Sequence, residues 1–191
     1  MYDHLKPVID LTLGVILLVL LSPLMLLLTV TQIFLHRGSP FFLHQRPGKN
    51  GKLFRMIKFR TMENCLDASG ALMPDNKRVT AFGRILRRTS MDELPQLINV
   101  VKGDMSLVGP RPLLVEFLPR YTPHQNRRHE VKPGMTGLAQ VSGRNAITWQ
   151  QKFDYDVWYV DHISFMLDGM ILITTIVKVI KREGIDCEDF D

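Results

Sequence analysis

The chain has 191 residues, a formal net charge of +5, 46% hydrophobic residues and 23% charged residues. That length suits one compact domain plus a membrane element, and the apolar content excludes wholesale disorder. The positive excess favours polyanionic partners (nucleic acid, anionic lipid headgroups or phosphorylated substrates) without choosing among them, and two distant cysteines, Cys65 and Cys187, imply no disulfide framework and suit a reducing compartment.

Residues 11–35 form an uncharged apolar run. About 20 such residues cross a bilayer, so a spanning helix is the simplest reading. The run is too long for a cleaved signal peptide, and no A-x-A-like site follows it. Ser22-Pro23 divides the run, and a proline inside a helix predicts a kink, with the Ser22 hydroxyl available for a freed carbonyl. Each half is then roughly 16 Å long, about half of the hydrocarbon core. Lys6 precedes the run, and Arg37, Arg46, Lys49 and Lys52 follow it. The positive-inside tendency pulls both flanks toward the cytoplasm, so a re-entrant helix–break–helix over 1–38 competes evenly with a spanning one. Residues 39–191 then form a domain beside the inner leaflet.

Two β-prone runs flank Pro47-Gly48-Lys49-Asn50-Gly51 and predict a hairpin. Residues 64–78 read as a polar surface loop, and 80–88 as a short basic helix. Leu94, Leu97, Ile98 and Val101 recur at helical spacing over 92–102, which ends at Gly103-Asp104. Residues 113–121 form another short amphipathic stretch before Pro123, and glycine-punctuated 131–145 reads as turn and strand. Helical patterns return at 148–160 and 169–180. In the first of these, Trp149, Phe153, Trp158 and Tyr159 suit either a core or a membrane–water interface. The second is too short to span and suits an interfacial or a core helix. The predicted fold is α+β and mainly helical, with interfacial amphipathic helices and a small β-hairpin.

Two clusters carry candidate chemistry. In the first, Asp92 and Glu93 follow Arg84, Arg87 and Arg88. Ser90-x-x-Glu93 matches a capping box, but Asp92 as the cap would place Pro95 more comfortably in the first turn. An aspartate at such a helix start, beside arginines, is expected to stay ionised and can attack phosphorus. In the second cluster, Arg111 between Pro110 and Pro112 sits on stiffened backbone suited to gripping a phosphate or a base edge. Lys58, Arg60, Arg144 and Asn145 add cationic and polar candidates, although each alone fits a solvated surface. The chain has no G-x-x-x-x-G-K-[ST] loop, no G-x-G-x-x-G turn and no paired Cys or His spacing for zinc.

Together, Ser22-Pro23, KFRTM at 58–62, SMDELPQLINVVKGDMSLVGPRP at 90–112, KPGMTGLAQVSGRN at 132–145 and D-x-x-Y-x-x-x-x-S-F at 156–165, followed by Asp168, resemble the small monotopic bacterial phosphoglycosyl transferases. The resemblance implies a re-entrant membrane helix at the cytoplasmic face of the bacterial inner membrane. It implies transfer of a phosphosugar from a UDP-sugar to undecaprenyl phosphate, with UMP released. Asp92 would be the nucleophile in a ping-pong reaction through an aspartyl-phosphosugar, with Glu93 assisting. Mg²⁺ would be required, with Asp92 as its ligand. Lys58, Arg87, Arg88, Pro110, Arg111, Pro112, Arg144 and Asp168 would contact substrate, and nucleic acid would not be a partner. A membrane-tethered polyanion binder without catalysis is the rival class. A second rival is an enzyme in which Asp92 only holds metal while the two substrates react directly.

Overall fold

A computed structural model of the chain describes residues 2–35, 39–67, 69–143 and 146–181. Helix α1 (Tyr2–Leu35) is followed by the strands β1 (Phe41–Pro47) and β2 (Leu53–Phe59) and by the single turn α2 (Asp75–Arg78). Helices α3 (Ala81–Arg88) and α4 (Gln96–Lys102) and strand β3 (Ser106–Val108) come next. The turn α5 (Pro123–Asn126), strand β4 (Gly134–Thr136) and helices α6 (Leu138–Ser142), α7 (Trp149–Asp161) and α8 (Phe165–Lys181) complete the described chain.

Helix α1 runs through Pro7 and Pro23 as one helical segment about 51 Å long along its residues, so Ser22-Pro23 does not end the helix. The physical reason is local. Pro23 cannot donate to the carbonyl of Val19, and the Ser22 hydroxyl donates to that oxygen instead, at 2.7 Å. One face of α1 packs on the rest of the chain along almost its whole length. Asp10, Gly14, Met25, Leu28 and Gln32 are buried, and Leu17, Leu18 and Leu21 join the core. Buried Asp10 accepts from the Ser106 hydroxyl at 2.7 Å and from Leu107 N–H at 3.1 Å, while Gln32 Nε2 donates to Arg60 O at 2.8 Å. The opposite face, with Leu5, Val8, Ile16, Val19, Leu20, Leu27 and Phe34, is exposed.

β1 and β2 form the predicted antiparallel hairpin, with Phe42 opposite Lys58 and Arg46 opposite Phe54. β3 and β4 make a small parallel pair, with Ser106 opposite Gly134. Residues 131–145 hold α6 as well as strand and turn, a helix hidden by the glycines on either side. Of the five aromatics in α7, Phe153 and Tyr159 are core residues, Tyr155 is half-buried, and Trp149 and Trp158 stay exposed. α8 buries Asp168 and Ile171 and exposes Phe165, Met166, Met170, Ile173, Ile176 and Ile180. The main core joins Met56, Leu97, Val100, Met105, Leu107, Val108, Tyr159 and Ile171.

Candidate active site

Three connections hold the site together. The basic helix α3 starts at Thr80, whose hydroxyl accepts from Gly83 N–H at 2.9 Å. Its C-terminal end turns sharply through Ser90, a non-glycine residue at φ +55. That costly conformation aims the next turn, Met91–Glu93, into a cavity. Third, α4 is fixed to β2 by buried Asn99, whose side chain accepts from Ile57 N–H at 3.0 Å and donates to Arg55 O at 2.8 Å. The two acids that precede α4 are thereby set in register with Lys58 on β2.

The arrangement differs from both predicted caps. Ser90 makes no side-chain cap, and α4 begins at Gln96, after Pro95, where the missing N–H of proline costs nothing. Asp92 and Glu93 therefore occupy a tight 3₁₀ turn and are free to face the cavity. That cavity has a volume of about 810 Å³ and is lined by Phe42, His44, Arg46, Lys58, Arg60, Arg87, Asp92, Glu93, Arg111, Arg128, Trp149, Lys152 and Asp156, among others.

The two acids behave differently. Glu93 Oε1 accepts from Lys58 Nζ at 2.6 Å and from Arg111 Nη2 at 2.8 Å. Burial opposes its charge, but the two cations win and hold this carboxyl far below the usual carboxylate range. Asp92 is only 9% exposed, and its carboxylate takes no hydrogen bond or ion pair among the described residues. Burial, and then the charge of Glu93, push it up to about 6, against the pull of Lys58, Arg87 and Arg111. Desolvation therefore outweighs the neighbouring cations. At neutral pH the carboxylate is still mostly ionised, as a nucleophile requires.

The structure brings Lys58, Arg87 and Arg111 into one cavity with Asp92 and Glu93. Arg87 Nε also donates to Thr61 Oγ1 at 2.8 Å. Pro110 and Pro112 are buried and shape the loop that presents Arg111. Arg88 is exposed and does not line the cavity, because it lies one position past Arg87 on a helix that turns only one face inward. Asp168 lies elsewhere too: it accepts from Lys6 Nζ at 2.5 Å, Tyr2 Oη at 2.7 Å and Tyr159 Oη at 2.7 Å. It anchors the start of α1 to α8 and is not a cavity residue. Arg144 and Asn145 lie outside the described residues. His44, Arg46, Arg128, Lys152 and Asp156 line the cavity without having been singled out. His44 and Arg46 were legible in principle, since two-residue alternation puts them on the hairpin face that carries Phe42 and Lys58.

Mg²⁺ is usually held by one or two carboxylates, completed by substrate phosphates and water. Asp92, whose two oxygens take no partner among the described residues, fits that donor set. Among the described residues no group of three or more His, Cys, Asp or Glu side chains forms a closed metal cage.

The model of the family described as bacterial sugar transferase matches residues 1–182. A protein named uncharacterized sugar transferase EpsL, from Bacillus subtilis strain 168, is 56% identical over 95% of this chain and 90% of its own length. An undecaprenyl-phosphate galactose phosphotransferase from Salmonella typhimurium strain LT2 is 40% identical over 94% of this chain. A UDP-glucose:undecaprenyl-phosphate glucose-1-phosphate transferase from Xanthomonas campestris pv. campestris is 40% identical over 93% of it. This chain spans 41% and 39% of the length of those two transferases. A match over nearly every residue, including the turn that carries Asp92 and Glu93, shows that the chain belongs to the bacterial sugar transferase family.

Proposed function

We propose that the protein transfers a sugar 1-phosphate from a UDP-sugar to undecaprenyl phosphate, the first membrane step of a bacterial glycan. The observation that carries this reading is the contrast between the two acids. Glu93 is locked by Lys58 and Arg111, while Asp92 beside it, inside a cationic cavity, takes no hydrogen bond or ion pair among the described residues. A polyanion-binding surface would gain nothing from two carboxylates at its centre.

In the proposed reaction a carboxylate oxygen of Asp92 attacks the β-phosphorus of the donor. A bond forms between Asp92 and phosphorus, the bond to the bridging oxygen breaks, and UMP departs with that oxygen. The phosphate oxygen of undecaprenyl phosphate then attacks the same phosphorus. The bond to Asp92 breaks, the carboxylate is regenerated, and a lipid diphosphate sugar leaves. Lys58, Arg87 and Arg111 neutralise the diphosphate, whose charge would otherwise repel the incoming anion. Glu93 holds Lys58 and Arg111 in place for that task. Mg²⁺, held by Asp92 together with substrate oxygens, would supply further neutralisation of the same charge.

We also propose that the chain sits on the cytoplasmic face of the inner membrane without crossing it. Asp10 and Gln32, each hydrogen-bonded to the catalytic portion, are separated by about 33 Å along α1. That equals the full hydrocarbon thickness, so an upright α1 would drag polar loops through the bilayer. An α1 lying along the membrane face, with its exposed apolar side and that of α8 in lipid, avoids this cost.

The test of function is UMP release from a panel of UDP-sugars in the presence of undecaprenyl phosphate. One or more donors should turn over, and Asp92→Asn should not. Failure with every donor would overturn the proposal.

A further inference from the structure

We infer that Arg128 is a positioning residue for Arg111, and that with Asp156 it sets how tightly the cavity grips a diphosphate. The inference deepens the function proposed above and rests on that reading of the cavity.

Arg128 lies in the 3₁₀ turn Arg127–Glu130 and is only 3% exposed. Its Nη2 donates to the backbone carbonyl of Arg111 at 2.7 Å and lies 2.7 Å from Asp156 Oδ2. Its Nη1 donates to the Tyr121 hydroxyl at 3.0 Å. The guanidinium carbon is 5.7 Å from the Tyr121 ring centroid and 5.6 Å from that of Phe153. Tyr121 and Phe153 meet edge-on at 5.5 Å, closing the holder. Arg128 is thus gripped by α7 on one side and by Tyr121 on the other, and it reaches across to a single carbonyl in the loop that carries Arg111.

That carbonyl matters because of its neighbours. Pro110 and Pro112 fix their own φ angles, so the Arg111 peptide is the element left to orient. Arg111 is still 46% exposed, and among the described residues Glu93 is the one anchor of its side chain. Holding its backbone removes a freedom that the side chain would otherwise lose on binding phosphate.

A purely structural role fits less well. A buried ion pair adds little net stability compared with apolar residues of the same volume, because two charges must be desolvated. Aromatic packing around Tyr121 and Phe153 would hold this corner without a cation. What an apolar replacement would not supply is a donor to the Arg111 carbonyl.

The test is a double-mutant cycle read first by binding of inorganic diphosphate, measured calorimetrically on the full chain in detergent. Arg128→Lys, Asp156→Asn and Tyr121→Phe are each made with Arg111 intact and with Arg111→Ala. Tyr121→Phe removes one hydroxyl and keeps the ring, so it reports even if Arg128→Lys fails to fold. With Arg111 intact, Arg128→Lys and Asp156→Asn should weaken diphosphate binding at least about ten-fold, and Tyr121→Phe by about three-fold. In the Arg111→Ala background the same changes should cost less than about two-fold. Equal losses in both backgrounds, or wild-type affinity in the single variants, would overturn the inference. UMP release by the unaltered protein separately reports on the proposed function, so the two failures are distinguishable. Where turnover is measurable, the single variants should raise KM for the donor more than they lower kcat.

Discussion

Replacing Glu93 by glutamine tests how the site is preorganised. Glu93 Oε1 receives Lys58 Nζ at 2.6 Å and Arg111 Nη2 at 2.8 Å, and its side chain is 19% exposed, as is that of Lys58. Hydrogen bonds to charged groups contribute roughly 1.5–3 kcal/mol each. Glutamine keeps the shape and one carbonyl acceptor but loses the charge. The Arg111 bond is discounted further, because that side chain is half open to solvent. A loss of about 2–3 kcal/mol in transition-state stabilisation follows, equivalent to a fall of roughly 30–150-fold in kcat/KM. The assay is steady-state UMP release, with thermal melting alongside to show that the fold is kept. Lys58→Met should give a loss of the same order, and the double variant little more than the larger single loss, since all three side chains act as one unit. A Glu93→Gln enzyme within three-fold of wild type, at an unchanged melting temperature, would refute the claim that Glu93 orders the cationic side of the cavity.

Glycine substitutions should separate two backbone positions. A Cβ on Gly134 would lie 2.1 Å from Gly109 N and 2.3 Å from Thr136 O, so Gly134→Ala should prevent folding or lower the melting point by many degrees. Gly169, inside α8, meets nothing within 4 Å, and Gly169→Ala should stabilise by about 0.5–1 kcal/mol in a denaturation experiment. His129 is pushed down to about 4 by burial and by Arg128, so the native state holds it neutral. Its contribution is fully present above the unfolded value near 6.5 and is lost as pH falls toward 4. Asp156, raised to about 6 by burial, acts in the opposite direction between about pH 6 and 4. The His129 effect is therefore read as a difference: the stability of His129→Gln should fall less steeply than that of wild type from pH 6.5 to 4. For topology, single cysteines introduced near residues 3 and 39 of a cysteine-free variant should label from the same side of sealed vesicles. Labelling from opposite sides would establish a spanning α1.

Much of the architecture was legible in periodicity and turn chemistry. The hairpin around Gly48–Gly51, the basic helix at 81–88, the helix ending at Gly103 and the long N-terminal apolar run all follow from local rules. Gly103, at φ +82, closes α4 as its residue type suggests. What sequence could not reveal is what α1 packs against. The face with Asp10, Gly14, Met25 and Gln32 looks like ordinary membrane sequence until Ser106, Leu107 and Arg60 are found beside it. The grouping of Lys58, Arg87, Asp92, Glu93 and Arg111 in one cavity matches what the family resemblance implies, which spacing alone does not carry. Asp168, which the resemblance puts among the substrate contacts, lies outside the cavity beside Lys6 and two tyrosines, a packing that its sequence neighbours do not show. The upward push on Asp92 is not legible in sequence, since charge neighbours are visible there and desolvation is not. The Arg128–Asp156 pair is not legible in sequence, because a 28-residue separation hides a contact of 2.7 Å.

The central claim is that Asp92 bonds covalently to phosphorus. Intact-protein mass spectrometry after incubation with a turned-over UDP-sugar and Mg²⁺, without undecaprenyl phosphate, tests it most directly. The account predicts a phosphosugar adduct that maps to Asp92, is absent from Asp92→Asn, and disappears when undecaprenyl phosphate is added. Full turnover with no adduct at any time, or an adduct that persists in Asp92→Asn, would contradict it.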